Sequence, residues 1–232
     1  MAWITFFHAR EEYLSSRVSS KKIKMRTNTI QPILIIGAPR SGTNMLRNIL
    51  TKLADTSTWP CDEINYIWRF GNAAYPNDEL HSKHARPNVQ RYIRNEFKRV
   101  AASTGSTNIV EKTCANSLRI PFVNKILPRA KYIFLLRNGH DVVQSAIKRW
   151  QAPMELQYLL KKARFVPVRD LPYYALRYMK HRLNKVYSND SSLPLWGPVF
   201  EELAGLRQTH QLQDVVAMQW VKSVQLADRG LK

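Results

Sequence analysis

From Pro32 onward the apolar residues fall into short runs and helical stripes that alternate along the chain. Ile33-Leu34-Ile35-Ile36 is a continuous apolar run, the pattern of a strand buried on both faces. After Gly37–Thr43, the residues Leu46, Ile49, Leu50 and Leu53 recur at helical spacing and predict an amphipathic helix with that face inward. Asn108-Ile109-Val110 predicts a shorter strand that ends in Glu111-Lys112-Thr113. Phe122, Ile126 and Leu127 then predict a helix over 119–127, with Pro121 in its first turn and Pro128 past its end. Tyr132–Leu136 is the third strand, Arg137-Asn138-Gly139 the third turn, and Val142, Val143, Ala146, Ile147 and Trp150 the third apolar stripe. Strand, turn and helix in three successive units predict an α/β fold, a doubly wound parallel sheet flanked by helices.

The rest of the chain is less strongly patterned. Residues 55–107 read as mostly helical. Residues 154–232 read as helices interrupted at Pro167, Pro172, Pro194 and Pro198, the last starting near Asp214 and carrying Val216, Trp220 and Val224. Residues 1–31 read as a basic N-terminal appendage, with Lys21-Lys22-Ile23-Lys24-Met25-Arg26 as a linker. The expected organisation is therefore this appendage and a single α/β domain over 32–232 with a mostly helical C-terminal part.

Charge adds a preference in partners. Lys and Arg number 36 against 17 Asp and Glu, a net charge of +19, which favours polyanions. Cys61 and Cys114 form no CxxC pair and no zinc spacing; two free thiols are expected. No segment is long and apolar enough to span a bilayer, and Trp3–Phe7 is too short for a signal-peptide core. A cytoplasmic protein is expected.

Candidate chemistry collects at the strand ends. In open α/β sheets ligands bind outside the carboxyl ends of the strands, and these three strands end in Arg40-Ser41-Gly42-Thr43, in Lys112-Thr113 and in Arg137-Asn138. The first turn supplies glycines for close backbone approach, a helix N-terminus and a guanidinium fork, all suited to phosphate or sulfate. It departs from the Walker A pattern, because Gly42 is followed by Thr43-Asn44 where a lysine is required. Nucleoside triphosphate hydrolysis is thereby disfavoured. In the third unit Arg137 lies at a strand end and Ser145 about two helical turns further on, a pair suited to a second phosphate.

Two motifs in that order resemble the PAPS-dependent sulfotransferase family, PAPS being 3′-phosphoadenosine-5′-phosphosulfate. IIGAPRSGT (35–43) is similar to the family's 5′-phosphosulfate loop, and YIFLLRNGHDVVQSAIKRW (132–150) to its 3′-phosphate motif. The arginine in the loop is closer to the carbohydrate and tyrosylprotein branch than to the cytosolic small-molecule branch. The resemblance implies a P-loop-like fold and PAPS as donor. Arg40, Ser41, Gly42, Thr43 and Asn44 would hold the 5′-phosphosulfate, and Arg137 and Ser145 the 3′-phosphate. Arg40 and Lys112 would meet the charge on the departing oxygen, and Glu63 would be the base, with no metal expected. The residues themselves leave two alternatives: Asp62 and Glu63 equally suit the cap and start of a helix through Ile64, Ile67 and Trp68, and Lys112 equally suits an exposed strand-end lysine.

The acceptor is not named by the sequence; a basic surface suits an acidic carbohydrate. His140 reads as a turn residue, His81 and His84 as exposed, Trp220 as core, and Tyr173, Tyr174 and Tyr178 as a helical face. Relatives continue beyond a helix resembling Ala217–Trp220 into a further strand, whereas this chain stops at Lys232, so either a chain truncated at its C-terminus or a less complete cleft is expected here. Two other functions compete: a small-molecule kinase with an altered P-loop, and a basic nucleic-acid-binding protein. Against the second, no helix-turn-helix, zinc-finger or RNA-binding aromatic signature is evident, and nucleic acid is not expected as a partner.

Overall fold

The structure is a computed structural model that describes residues 30–151, 165–176 and 196–232. The basic segment over 1–29, Pro194 and Tyr178 lie outside the described residues. Four strands, β1 (Gln31–Ile36), β2 (Thr56–Ser57), β3 (Asn108–Lys112) and β4 (Lys131–Phe134), form one sheet in the order β2-β3-β1-β4. All pairings are parallel. The doubly wound α/β arrangement expected from the alternating pattern is thus present.

Register places the strand ends together. Ile35 is opposite Lys112 on β3 and Ile36 is opposite Phe134 on β4. The chain therefore leaves β1, β3 and β4 at one edge of the sheet, at Gly37, Thr113 and Leu135.

The helices are α1 (Thr43–Leu50), α2 (Asn65–Trp68), α3 (Pro87–Thr104), α4 (Ile120–Ile126), α5 (Gly139–Gln151), α6 (Leu203–Thr209) and α7 (Leu212–Leu231). Short 3-10 turns occupy Ser82–His84, Cys114–Leu118 and Val168–Asp170. Pro87 opens α3, where its missing N–H costs nothing. Val89, Ile93, Phe97 and Val100 then form its buried face. They pack with Leu34, Ile36, Ile109, Trp68, Phe122 and Ile126 into the largest apolar cluster. A second cluster joins Val143, Ala146 and Trp150 of α5 to Val216 of α7. A third joins Leu118 to Phe200, Leu203 and Val215.

Three sequence expectations are corrected. The stripe Leu46, Ile49, Leu50, Leu53 faces inward only in part: Leu46 and Leu50 are half-buried, Ile49 and Leu53 are exposed, together with Met45, and Thr43 is the buried residue of α1. The helix turns its Thr43–Arg47 side to the molecule because Arg47 finds carbonyl partners there, a polar contact that hydrophobic periodicity does not register. The strand predicted over Tyr132–Leu136 runs instead over Lys131–Phe134, and Leu136 is exposed. The 55–107 stretch holds a two-residue strand, β2, hydrogen-bonded to β3, too short to leave a pattern.

One close approach seats α5. A Cβ on Gly139 would lie 2.8 Å from Cζ3 of Trp220, so the indole of α7 rests directly on the backbone of the first α5 turn. Trp220 is therefore a packing residue, as read from the sequence.

Candidate active site

The turn after β1 has an unusual backbone. Arg40 has φ 69° and Gly42 φ 94°, two left-handed positions separated by one residue. A non-glycine residue in this region carries strain and is uncommon away from functional turns. Ser41 lies between them, 6% exposed, and its buried hydroxyl has no hydrogen-bond partner among the described residues. A buried unpaired hydroxyl is costly; at a helix N-terminus it is suited to an anion's oxygen. Thr43, the first residue of α1, is also buried, whereas Asn44 is exposed.

The turn after β4 meets this one. Arg40 Nε donates to Ser145 Oγ at 2.9 Å. Arg137 Nη1 donates to the Arg40 carbonyl at 3.3 Å. The loops read from the sequence as two anion grips thus touch each other across the β1–β4 pair. Arg137 also lies 3.6 Å from Asp141, its i+4 neighbour, with both side chains about half exposed. Asn138 Oδ1 accepts from the His140 amide at 2.9 Å and so starts α5. His140 is exposed, but it is the second residue of α5 and not a turn residue as expected.

The end of β3 contributes the third component. Lys112 is not an exposed lysine: it is 5% exposed and its Nζ is 2.8 Å from Glu63 Oε1. The same oxygen accepts from the Cys114 amide at 3.4 Å. Glu63 is not a helix cap either, since α2 begins after Ile64 without a side-chain cap. Asp62 binds Arg47 Nη2 at 3.3 Å. Burial alone would lower the Lys112 ammonium, but the fields of Cys114 and Glu63 and the Glu63 hydrogen bond outweigh it and the shift is upward. Burial pushes the Cys114 thiol up to about 12. That thiol is neutral near pH 7, so the Glu63 carboxylate is the partner that sustains the Lys112 charge.

Thr43 and three residues with no signal in the sequence, Arg47, Asp78 and Arg119, tie these parts together. Arg47 Nη1 donates to the carbonyls of Cys61 and Asp62, each at 3.1 Å, and fastens the segment before Glu63 to α1. Only its position four residues after Thr43, on the inward side of α1, could have signalled this. Thr43 Oγ1 lies 3.9 Å from Cys114 Sγ, joining α1 to the end of β3. Arg119 is fully buried and Asp78 nearly so, 3.6 Å apart, and Asp78 also binds Arg69 at 3.0 Å. Asp78 Oδ2 accepts from the Val199 amide at 2.9 Å, bringing the C-terminal part onto the site's underside.

The remaining sequence candidates lie outside this cluster. His81 and His84 cap their own 3-10 turn, the His81 amide donating to His84 Nδ1 at 2.9 Å. No group of metal-binding side chains occurs among the described residues. Tyr174 packs edge-on against Tyr66 and Tyr173. Cys61 is half-buried and Cys114 buried, and they form no disulfide with each other. No described helix is long and apolar enough to cross a membrane.

A family model described as the sulfotransferase family matches residues 32–191, which include the turns after β1 and β4, Glu63 and Lys112. The chain belongs to the sulfotransferase family. No curated protein matches it significantly. In sulfotransferase terms, the matched region carries the whole sheet, while α6 and α7 follow it and cover α5 and the turn after β3.

Proposed function

We propose that this sulfotransferase-family chain moves a sulfuryl group from PAPS to a hydroxyl or amine acceptor. The observation that carries the reading is the contact of the two loops, Arg40 to Ser145 and Arg137 to the Arg40 carbonyl. One donor with phosphates at both ends would meet Arg40, Ser41, Gly42, Thr43 and Asn44 at its 5′-phosphosulfate and Arg137 and Ser145 at its 3′-phosphate. The unpaired Ser41 hydroxyl and the left-handed turn fit the phosphosulfate oxygens. Arg137 would then exchange its weak exposed partner Asp141 for the 3′-phosphate, a change favoured by charge-assisted bidentate bonding.

The reaction is an in-line displacement, by analogy with phosphoryl transfer. The acceptor oxygen or nitrogen forms its bond to sulfur as the bond from sulfur to the 5′-phosphate oxygen breaks. The acceptor's proton passes to Glu63, and the electron pair goes to the phosphate oxygen of the departing adenosine 3′,5′-bisphosphate (PAP). Arg40 and Lys112 supply positive charge to that oxygen. Lys112 begins paired with Glu63; turning toward the phosphate frees the carboxylate to act as base. The acceptor class that suits the +19 charge is an acidic carbohydrate.

Calorimetry with PAP and with AMP tests the donor reading. PAP is expected to bind at least about 100-fold more tightly, the order expected of two charge-assisted contacts. Equal affinities would refute the role given to Arg137 and Ser145. A labelled-PAPS screen over glycans, phenols and peptides then identifies the acceptor.

A further inference from the structure

Glu111 precedes the lysine that pairs with Glu63, yet it points away from it into the protein, 1% exposed. Its two oxygens each have a defined partner. Oε1 accepts from the Thr113 hydroxyl at 2.5 Å, and Oε2 accepts from Asn116 Nδ2 at 2.9 Å.

Each partner leads to the residues that follow Glu63. Thr113 Oγ1 accepts from the Ile64 amide at 3.2 Å. A hydroxyl has one proton; a carboxylate that takes this proton leaves the oxygen's lone pairs for the amide. On the other route, Asn116 Oδ1 accepts from Arg119 Nε at 2.9 Å, and Arg119 Nη2 donates to Asn65 Oδ1 at 2.6 Å. The Oε2 contact fixes which way the Asn116 amide faces, and so supports the Arg119 link. Burying a carboxylate is expensive, and an apolar residue would fill the same space without setting either direction.

We infer that Glu111 is a positioning residue for Glu63, holding Ile64 through Thr113 and Asn65 through Asn116 and Arg119. The functional meaning of the inference rests on the sulfotransferase reading of Glu63; its geometry does not. Charged and titratable groups around Glu111 agree with a finely balanced site. Burial raises its carboxyl to about 7, against the lowering effects of the Thr113 hydrogen bond and of Lys112 and Arg119. Near neutral pH it thus passes from an acceptor to a group that can donate, which reverses the sense of the Thr113 bond.

Amide hydrogen exchange by NMR, with PAP calorimetry alongside, tests this. Thr113→Val cuts the first route only, and exchange at Ile64 and Cys114 is expected to rise at least about tenfold more than at Leu34 in β1, the pattern of local and not global opening. Thr113→Ser keeps a hydroxyl and is expected to restore protection to within about threefold of the native value. Glu111→Gln keeps an oxygen for Thr113 but sets a donor against Asn116 Nδ2, so it is expected to speed exchange at the Arg69 amide, which donates to the Asn65 carbonyl at 2.9 Å, more than at Ile64. PAP affinity stays within about twofold in all three, because the anion loops sit on β1 and β4. Native protection at Ile64 in Thr113→Val, or equal acceleration at Leu34, would overturn the inference. Failure of the native protein to bind PAP would count against the sulfotransferase reading and leave the exchange pattern to be judged separately.

Discussion

The Arg40–Arg137 loop pair and the Glu63–Lys112 cluster share one edge of the sheet, yet water reaches them very differently. The Arg137 side chain is 46% exposed and its partner Asp141 56%, whereas the Lys112 side chain is 4% exposed and Glu63 24%. Exposed ion pairs contribute little to stability; a buried one is costly to break because it strands a charge. The loop pair is held by backbone turns and is available to a ligand. The cluster is held by its own polar contacts and is part of the fold. Substitutions in the first region should therefore change function without stability, and in the second should change both.

The largest effect is expected where the comparison predicts a clean separation. Arg40→Ala removes a guanidinium whose one described side-chain hydrogen bond is to Ser145. Loss of one transition-state donor costs about 100- to 1000-fold in turnover, and the melting temperature should stay within about 2 °C because no buried contact is lost. Turnover of labelled PAPS and a thermal melt measure the two. A large drop in melting temperature would erase the distinction between the regions.

Lys112→Met is the counterpart. It leaves Glu63 without its cation beside a buried thiol, and a stability loss of about 2–4 kcal/mol is expected by urea denaturation. Partial access of water to Glu63 keeps the cost toward the lower end. A loss as small as that of a surface substitution would mean that Lys112 is hydrated in solution and that the two regions do not differ in kind.

The pH dependence of stability sharpens the comparison further. Burial holds the Glu111 carboxyl at about 7 against an ordinary value of 4.5. The folded chain then binds the proton that the unfolded chain releases, so Glu111 makes stability fall as pH rises from about 4.5 through about 7. The full effect is on the order of 3 kcal/mol. Denaturation midpoints measured across this window should lose that component in Glu111→Gln. An unchanged profile in the variant would locate the titration elsewhere.

The same contrast decides what was legible in the sequence. The sheet and the three strand–turn–helix units were readable because Leu34–Ile36 and Ile109–Val110 are buried in continuous apolar runs. The proximity of Arg40, Arg137 and Ser145 was readable because they sit in the turns and first helix beyond adjacent parallel strands. Nothing periodic marks Arg47, Thr113, Asn116 or Arg119. Their partners lie far along the chain, as with Arg119 and Asn65 or Ile64 and Thr113, and such pairings exist only once the chain is folded. For the same reason Glu63 and Lys112 were found as separate candidates, and their pairing was not. The error at α1 has this origin too: its apolar stripe suggested an inward face, while the carbonyls of Cys61 and Asp62 turned Arg47 inward instead.

The smallest effect probes whether the exposed region is organised before a ligand arrives. In the present structure Ser145 holds Arg40 by one hydrogen bond to Nε, and Arg137 reaches only the Arg40 carbonyl. If Ser145 both binds the 3′-phosphate and aims Arg40, Ser145→Ala should weaken PAP about fivefold, the worth of one ordinary hydrogen bond of about 1 kcal/mol. AMP, which has no 3′-phosphate, should lose only what comes from a freer Arg40. Calorimetry of both nucleotides separates these contributions. An equal loss for PAP and AMP would assign Ser145 entirely to aiming the arginine, and the 3′-phosphate grip would then belong to Arg137 alone.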